Sequence, residues 1–268
     1  MAGRLELILQ ARSGVTSLGR LHQQVPCRAL FPRVAKAEPF QAVAVNIGGG
    51  LVGGDTIETS VTARPGTAAV LTSQAAEKVY RSGDRSVRVE TAVTVEGDAR
   101  IEWMPQPTIL FDAANLVRHT RLDVAPGATA FAGEITILGR AAHGERLSKG
   151  RLFDEWTVRR DGRLVWMDRT RVDHWPAVLD DPNAFGGAEA TALAVYAAPD
   201  AGARVEAARA LLEGAGVAAA ATVIDGLLIL RWLGREAARL VAAYADFWRR
   251  FRALVGLGAP VLPTIWQT

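Results

Sequence analysis

Over the first two-thirds of the chain, apolar and polar positions alternate with a period of two, as in residues 86–95 (S-V-R-V-E-T-A-V-T-V), 116–124 and 152–158. That period sets apolar side chains on one face of an extended chain, so these segments are predicted to be half-buried strands. Turn formers separate them at Pro65-Gly66, Glu96-Gly97-Asp98, Pro126-Gly127 and Asp161-Gly162, each with strand-like sequence on both sides. The last pair suits a type I′ hairpin, in which both central residues need positive φ. The turns recur roughly every thirty residues, which suggests stacked hairpins or coils, although the segments share no common motif. Helical spacing appears only late, over residues 203–212 and 235–255, with a hairpin-like stretch around Asp225-Gly226 between them. The predicted class is mainly β with a few α-helices, in a single domain over residues 1–268. Residues 176–187, with Asp180-Asp181-Pro182-Asn183 inside, are predicted to be a long loop within it.

In the second helix Leu240, Tyr244, Phe247, Trp248 and Phe251 recur at three- and four-residue spacing beside Arg239, Arg249, Arg250 and Arg252. Such a stripe packs on the protein's own sheet or, because aromatic and arginine side chains are what interface hot spots favour, meets a partner.

Composition narrows the classes. Of 268 residues 49% are hydrophobic and 22% charged, ordinary values for a folded globular chain. No apolar run reaches the roughly twenty residues that span a bilayer, and residues 1–10 lack a signal-peptide core, which predicts a cytoplasmic protein. A single cysteine, Cys27, excludes an intramolecular disulfide and a Cys-rich zinc site. The net charge is only +3, with arginines spread along the chain, too mild a balance for a dedicated nucleic-acid binder. A mean hydropathy of +0.11 allows an exposed patch that a partner covers.

The string from Asn46 to Asp55 contains G-x-G-x-x-G at Gly48, Gly50 and Gly53 after strand-like residues 41–45. A dinucleotide site needs a helix after the last glycine, but residues 56–63 (T-I-E-T-S-V-T-A) are β-branched and alternating. The glycines are therefore predicted to serve a tight, bulged strand connection. There is no Walker A string, no G-x-S-x-G elbow and no H-E-x-x-H helix. His22, His119, His143 and His174 are isolated. Five carboxylates, Asp55, Glu102, Asp112, Glu134 and Glu145, lie in or beside apolar strand-like sequence, where each needs an arginine or a wet cavity. A carbohydrate-acting protein on a stacked β scaffold is a rival reading, since there are seven tryptophans. Trp103, Trp156, Trp166 and Trp175 fall in or beside strands, which favours the core for them.

Five strings, in order, resemble the UreD (UreH) urease accessory protein family. They are Gly50-Leu51-Val52-Gly53-Gly54-Asp55; Glu77-Lys78-Val79-Tyr80-Arg81-Ser82, similar to K-x-Y-R-S; and residues 101–112, I-E-W-M-P-Q-P-T-I-L-F-D, similar to E-W-L-P-Q-E-T-I-x-F-D. The fourth runs from Leu138 to Glu145 with Gly150 beyond, similar to L-G-R-x-A-x-G-E, and the fifth is Pro263-Thr264-Ile265-Trp266-Gln267-Thr268, similar to P-R-I-W-x-T. The chain departs from the family pattern at Asn46 to Gly50, where two prolines are usual, and at Ala29-Leu30-Phe31-Pro32, where an aromatic-tyrosine-proline stretch is usual.

The resemblance implies strands wound in a stacked, right-handed, helix-like arrangement, with two helices in the C-terminal half. It further implies no catalytic activity and no tightly bound cofactor. The implied role is a chaperone that binds apo-urease with UreF and the GTPase UreG during GTP-dependent nickel insertion, leaving open a dimer within that complex. A polar passage for transient Ni2+ is part of what it implies. Asp55, Glu102, Glu134 and Glu145 are the candidate metal-contacting residues along that passage. Tyr244, Phe247, Trp248 and Phe251 are the candidate partner interface, with UreF as occupant.

Overall fold

The structure is a computed structural model and describes residues 1–35 and 38–266, so Gln267 and Thr268 of the terminal string lie outside the described residues. Along the chain the strands are β1 (Ala2–Arg12), β2 (Val15–Gln24), β3 (Cys27–Leu30), β4 (Phe40–Asn46), β5 (Thr56–Ala63) and β6 (Ala68–Ser73). Then come β7 (Glu77–Val79), β8 (Val87–Val95), β9 (Arg100–Trp103), β10 (Thr108–Leu110), β11 (Asn115–Val124) and β12 (Thr129–Leu138). The remaining strands are β13 (Arg151–Arg160), β14 (Arg163–Val172), β15 (Ala190–Ala197), β16 (Ala218–Ile224) and β17 (Leu227–Gly234). Helix α1 (Val205–Leu212) lies between β15 and β16, and α2 (Ala237–Leu254) follows β17.

From β4 to β13 the chain passes back and forth between two sheets. Strands β1, β5, β8, β11 and β13 are parallel neighbours in one sheet, closed at its two edges by the antiparallel partners β2 and β14. The other contains the parallel set β4, β6, β9 and β12, extended by the antiparallel strands β15, β17 and β16. The result is about four stacked coils of a β-solenoid, with half the residues in strands.

Three of the four predicted turns mark corners between the sheets and not hairpins. Pro65-Gly66, Gly97 and Pro126-Gly127 lead from β5 to β6, β8 to β9 and β11 to β12, and they stack: the Gly66 N–H donates to Asp98 at 2.6 Å, one coil on. Asp161-Gly162 is the expected hairpin, joining β13 to β14 with φ of 51° and 73°. Asp225-Gly226 joins β16 to β17 in the same way. The predicted helices are present, shortened to the bounds above, because residues 201–204 form a 3₁₀ turn ahead of α1. The loop predicted over residues 176–187 is found over 178–189, because Trp175–Ala177 form a 3₁₀ turn and β15 begins only at Ala190.

Apolar side chains fill two clusters between the sheets. One lies around Leu7, Val93, Leu122 and Val158, the other around Leu51, Val87, Leu116 and Leu152. A third cluster lies on the far side of the second sheet, beneath the helices. There Leu240, Tyr244, Phe247, Trp248 and Phe251 are at most 1% exposed, packed on Trp232, Phe131 and Tyr196 with ring centroids 5.1–5.3 Å apart. The expected partner interface at Tyr244, Phe247, Trp248 and Phe251 is thus corrected: the chain's own sheet already covers the stripe. Three of the four arginines beside it turn outward into surface pairs, Arg239 with Glu236 and Arg249 and Arg250 with Asp246, while Arg252 is buried against Glu102.

Candidate functional site

The glycine string shows how the first two family-like strings meet. Leu51 exchanges backbone hydrogen bonds with Lys78 and Tyr80 at 2.7 and 2.8 Å, and Tyr80 Oη donates to the Gly49 carbonyl at 3.1 Å. Gly50 adopts φ 143° against the Tyr80 ring, and a Cβ on Gly53 would lie 2.6 Å from the Ser82 and Arg85 carbonyls. Strand β5 follows, with no helix to hold a pyrophosphate. Successive coils then stack Tyr80 edge-on to Phe111 at 4.9 Å and Arg140 over Phe111 at 4.1 Å. Asp112 accepts the backbone N–H groups of Ser148 and Lys149 at 2.6 and 3.0 Å, and Glu145 accepts from Arg140 at 2.7 Å. Four of the five strings therefore converge on one corner of the solenoid.

The four candidate metal-contacting carboxylates do not converge. Asp55, beside this corner, accepts the Val52 N–H at 2.9 Å and the Met1 ammonium; burial alone would raise its pKa, but these bonds outweigh it and hold it low. In Glu145 the Arg140 hydrogen bond leads and lowers the pKa. Glu102 is on β9, opposite Phe131 of β12, and faces the helices. There it accepts from Trp248 Nε1 at 2.6 Å and from the Arg252 guanidinium at 3.1–3.2 Å. Glu134 lies three residues past Phe131, so it faces the other way, between the sheets. Burial raises the pKa of both Glu102 and Glu134 against the pull of their arginines. The expectation that all four line one passage is corrected accordingly: strand parity parts Glu102 from Glu134, while Asp55 and Glu145 each belong to the corner. Among the described residues no group of three or more His, Cys, Asp or Glu side chains is placed to hold a metal ion.

Glu134 instead belongs to a polar file that runs between the two apolar clusters, along the stacking direction. On the second sheet Asn46 holds both Glu77 carboxylate oxygens at 2.9 and 3.1 Å, and Glu77, Thr108 and Thr136 stand side by side on neighbouring strands. Opposite them, in register, are Thr59, Thr91 and Thr120. Thr120 Oγ1 donates to Glu134 at 2.7 Å and Trp156 Nε1 does so at 3.2 Å. Arg118 bridges the sheets, contacting Asp154, Thr136 and Glu134 at 2.5–3.0 Å.

A cavity of about 120 Å³, lined among others by Cys27, Thr59, Thr91, Trp103, Glu77 and Glu134, lies along this file. It is large enough for about four waters. The indole N–H of Trp103 at its wall is buried with no partner among the described residues. Burial raises the pKa of Glu77 against the Asn46 bonds, and burial followed by Glu77 pushes the Cys27 thiol up to about 11. Gln74, Ala75 and Gln106 line both the cavity and an open groove of about 900 Å³ between residues 30–35 and 261–265.

Glu77, Arg118 and the threonines were missed by sequence reasoning, yet a signal existed. Arg118 and Thr120 occupy the apolar parity of β11 set by Leu116, Leu122 and Val124, and Thr91 does so in β8 between Val87 and Val95. Trp103, Trp156, Trp166 and Trp175 are 1–8% exposed, so none is a platform for a sugar. Comparison with known proteins agrees with the strings. A family model described as UreD urease accessory protein matches residues 1–267. The urease accessory protein UreD of Magnetococcus marinus is 39% identical over 271 residues, covering 99% of this chain and 93% of that protein. That of Azorhizobium caulinodans is 38% identical over 265 residues (98% and 95%), and UreD 2 of Methylorubrum populi 41% over 261 (96% and 86%). With the match running the whole length of the solenoid and its helices, the chain belongs to the UreD family of urease accessory proteins.

Proposed function

We propose that this chain serves urease maturation in the cytoplasm as a non-catalytic scaffold. It holds apo-urease together with UreF and UreG while nickel, the cargo, is inserted in a GTP-dependent step, and the polar file between its sheets is the ion's route. The observation that carries the route is the cavity lined by Glu77 and Glu134, which shares Gln74, Ala75 and Gln106 with the wall of the open groove. A channel must bind an ion well enough to admit it and weakly enough to release it. Hydroxyls, amides and single carboxylates spaced along a file meet that need, whereas a closed tetrahedral set would trap the ion.

The test has two parts. Tagged chain co-expressed with UreF, UreG and apo-urease should elute as one complex by size-exclusion chromatography with light scattering. A chain that elutes alone in the presence of all three would overturn the scaffold. Glu77→Gln and Glu134→Gln should leave that complex intact while lowering the nickel content and activity of the urease recovered from the cells. Unchanged nickel content with both variants folded would overturn the route.

A further inference from the structure

Arg118 stands across the polar file. It is 4% exposed, and its guanidinium donates to Asp154 at 3.0 and 2.5 Å, to Thr136 at 2.9 Å and to Thr108 at 3.4 Å, while Nε lies 3.0 Å from Glu134. Thr108 and Thr136 belong to one sheet and Arg118 and Asp154 to the other, so the group spans the width of the file. Glu77 lies one coil before it and Glu134 one coil after. A guanidinium cannot shed its charge; here it is paired with two carboxylates, Asp154 and Glu134, and occupies the contacts that a second cation would need. Glu134 shares the wall of the cavity with Glu77, but its Oε1 is taken by Thr120 and its Oε2 by Arg118 and Trp156, so a divalent ion in the cavity binds this carboxylate only by displacing the guanidinium.

The carboxylates around Arg118 also have partners other than it. Glu134 keeps two neutral donors, Thr120 and Trp156, and the Asp154 side chain is 16% exposed and so reaches water. If the guanidinium leaves, Glu134 stays hydrogen-bonded but loses its counter-charge, which an arriving divalent cation would supply. We propose that Arg118 is a charge gate: a divalent cation in the cavity binds Glu134, and moves on toward Trp156, only when the guanidinium has withdrawn toward Asp154 and solvent. This rests on the route proposed above and adds its control point.

Trp156 reports on the far side of the gate, because its indole N–H is bonded to Glu134 and Ni2+ quenches indole fluorescence at short range. Trp103 lines the cavity on the near side. The full chain, purified, is mixed with nickel chloride and the quenching followed in time, with circular dichroism and melting as checks on folding. Arg118→Met/Asp154→Asn removes one charge of each sign and should add a quenching component absent from the wild type, one that disappears when Trp156→Phe is included. The same quenching in wild type and in the folded double variant overturns the gate. If the double variant does not fold, Arg118→Lys takes its place; it keeps the charge but loses the two-pronged hold on Asp154, and should show the Trp156 component at reduced amplitude. A folded Arg118→Lys indistinguishable from wild type overturns the gate equally. Glu77→Gln separates the two levels. Loss of the wild-type, near-side response in that variant supports the route whatever happens at Arg118, and no nickel response in any form overturns route and gate together.

Discussion

Arg252 near the end of α2 offers the sharpest test of how the helices are fastened. Its side chain is 1% exposed and donates to Glu102 at 3.1–3.2 Å, to Glu38 at 3.3 Å and to the carbonyls of Ala259 and Val261 at 2.7 and 2.5 Å. Arg252→Met keeps most of the buried volume but leaves Glu102, itself 1% exposed, with Trp248 as its one remaining donor among the described residues. Removing one partner of a buried ion pair costs ~3–5 kcal/mol. At about 2 °C per kcal/mol for a chain of this length, the midpoint should fall by roughly 6–10 °C. The loss should depend on pH. Burial already raises Glu102 in the wild type, and without the guanidinium opposing it the rise is larger. The folded variant then holds a proton that the unfolded chain releases, so its stability falls as pH increases through that interval. The deficit against wild type should be widest near neutrality and narrow toward about pH 5, close to the ordinary carboxylate range. Thermal unfolding followed by circular dichroism at both pH values measures this directly. Adding Glu102→Gln, which removes the stranded charge and can still accept from Trp248, should recover much of the loss near neutrality. A single variant that melts within about 2 °C of wild type at both pH values, a shift worth only ~1 kcal/mol, would refute the reasoning.

Other positions give smaller, separate readouts. Gly50→Ala forces a side chain onto φ 143° against the Tyr80 ring and should destabilise the protein by ~1–3 kcal/mol in chemical denaturation. In Asp112 burial pushes upward, but the Ser148 and Lys149 N–H groups prevail and hold the pKa low, so its contribution is present at neutrality and lost as pH falls through the folded value. Asp112→Asn should therefore flatten the acid side of the stability curve, as read from melting temperatures between neutrality and pH 3. Cys27, 5% exposed with its thiol raised to about 11, should react with iodoacetamide at pH 8 far more slowly in the native protein than after denaturation, by roughly a hundredfold from thiolate population alone.

What the sequence makes legible follows from what a period of two encodes. Residues 86–95 declare which side chains share a face, and β8 buries Val87, Thr91, Val93 and Val95 on one side as that parity requires. Parity does not say which strand lies alongside, so Pro65-Gly66 and Pro126-Gly127 look like hairpin turns although each carries the chain to the opposite sheet. The same limit governs α2. Its stripe announces a buried face, but Trp232, Phe131 and Tyr196, which cover it, come from three strands far apart in sequence. The candidate site was the least legible part, because it arises from repetition across coils. Thr59, Thr91 and Thr120 are each an ordinary strand threonine until parallel register sets them side by side, and Glu77 acquires its raised pKa only where the fold buries it, against the opposing pull of its Asn46 bonds. A residue polar by type but apolar by parity is thus the signal to seek in a solenoid. By that rule Arg118, placed among Leu116, Thr120 and Leu122, marks the middle of the file before any coordinate is known.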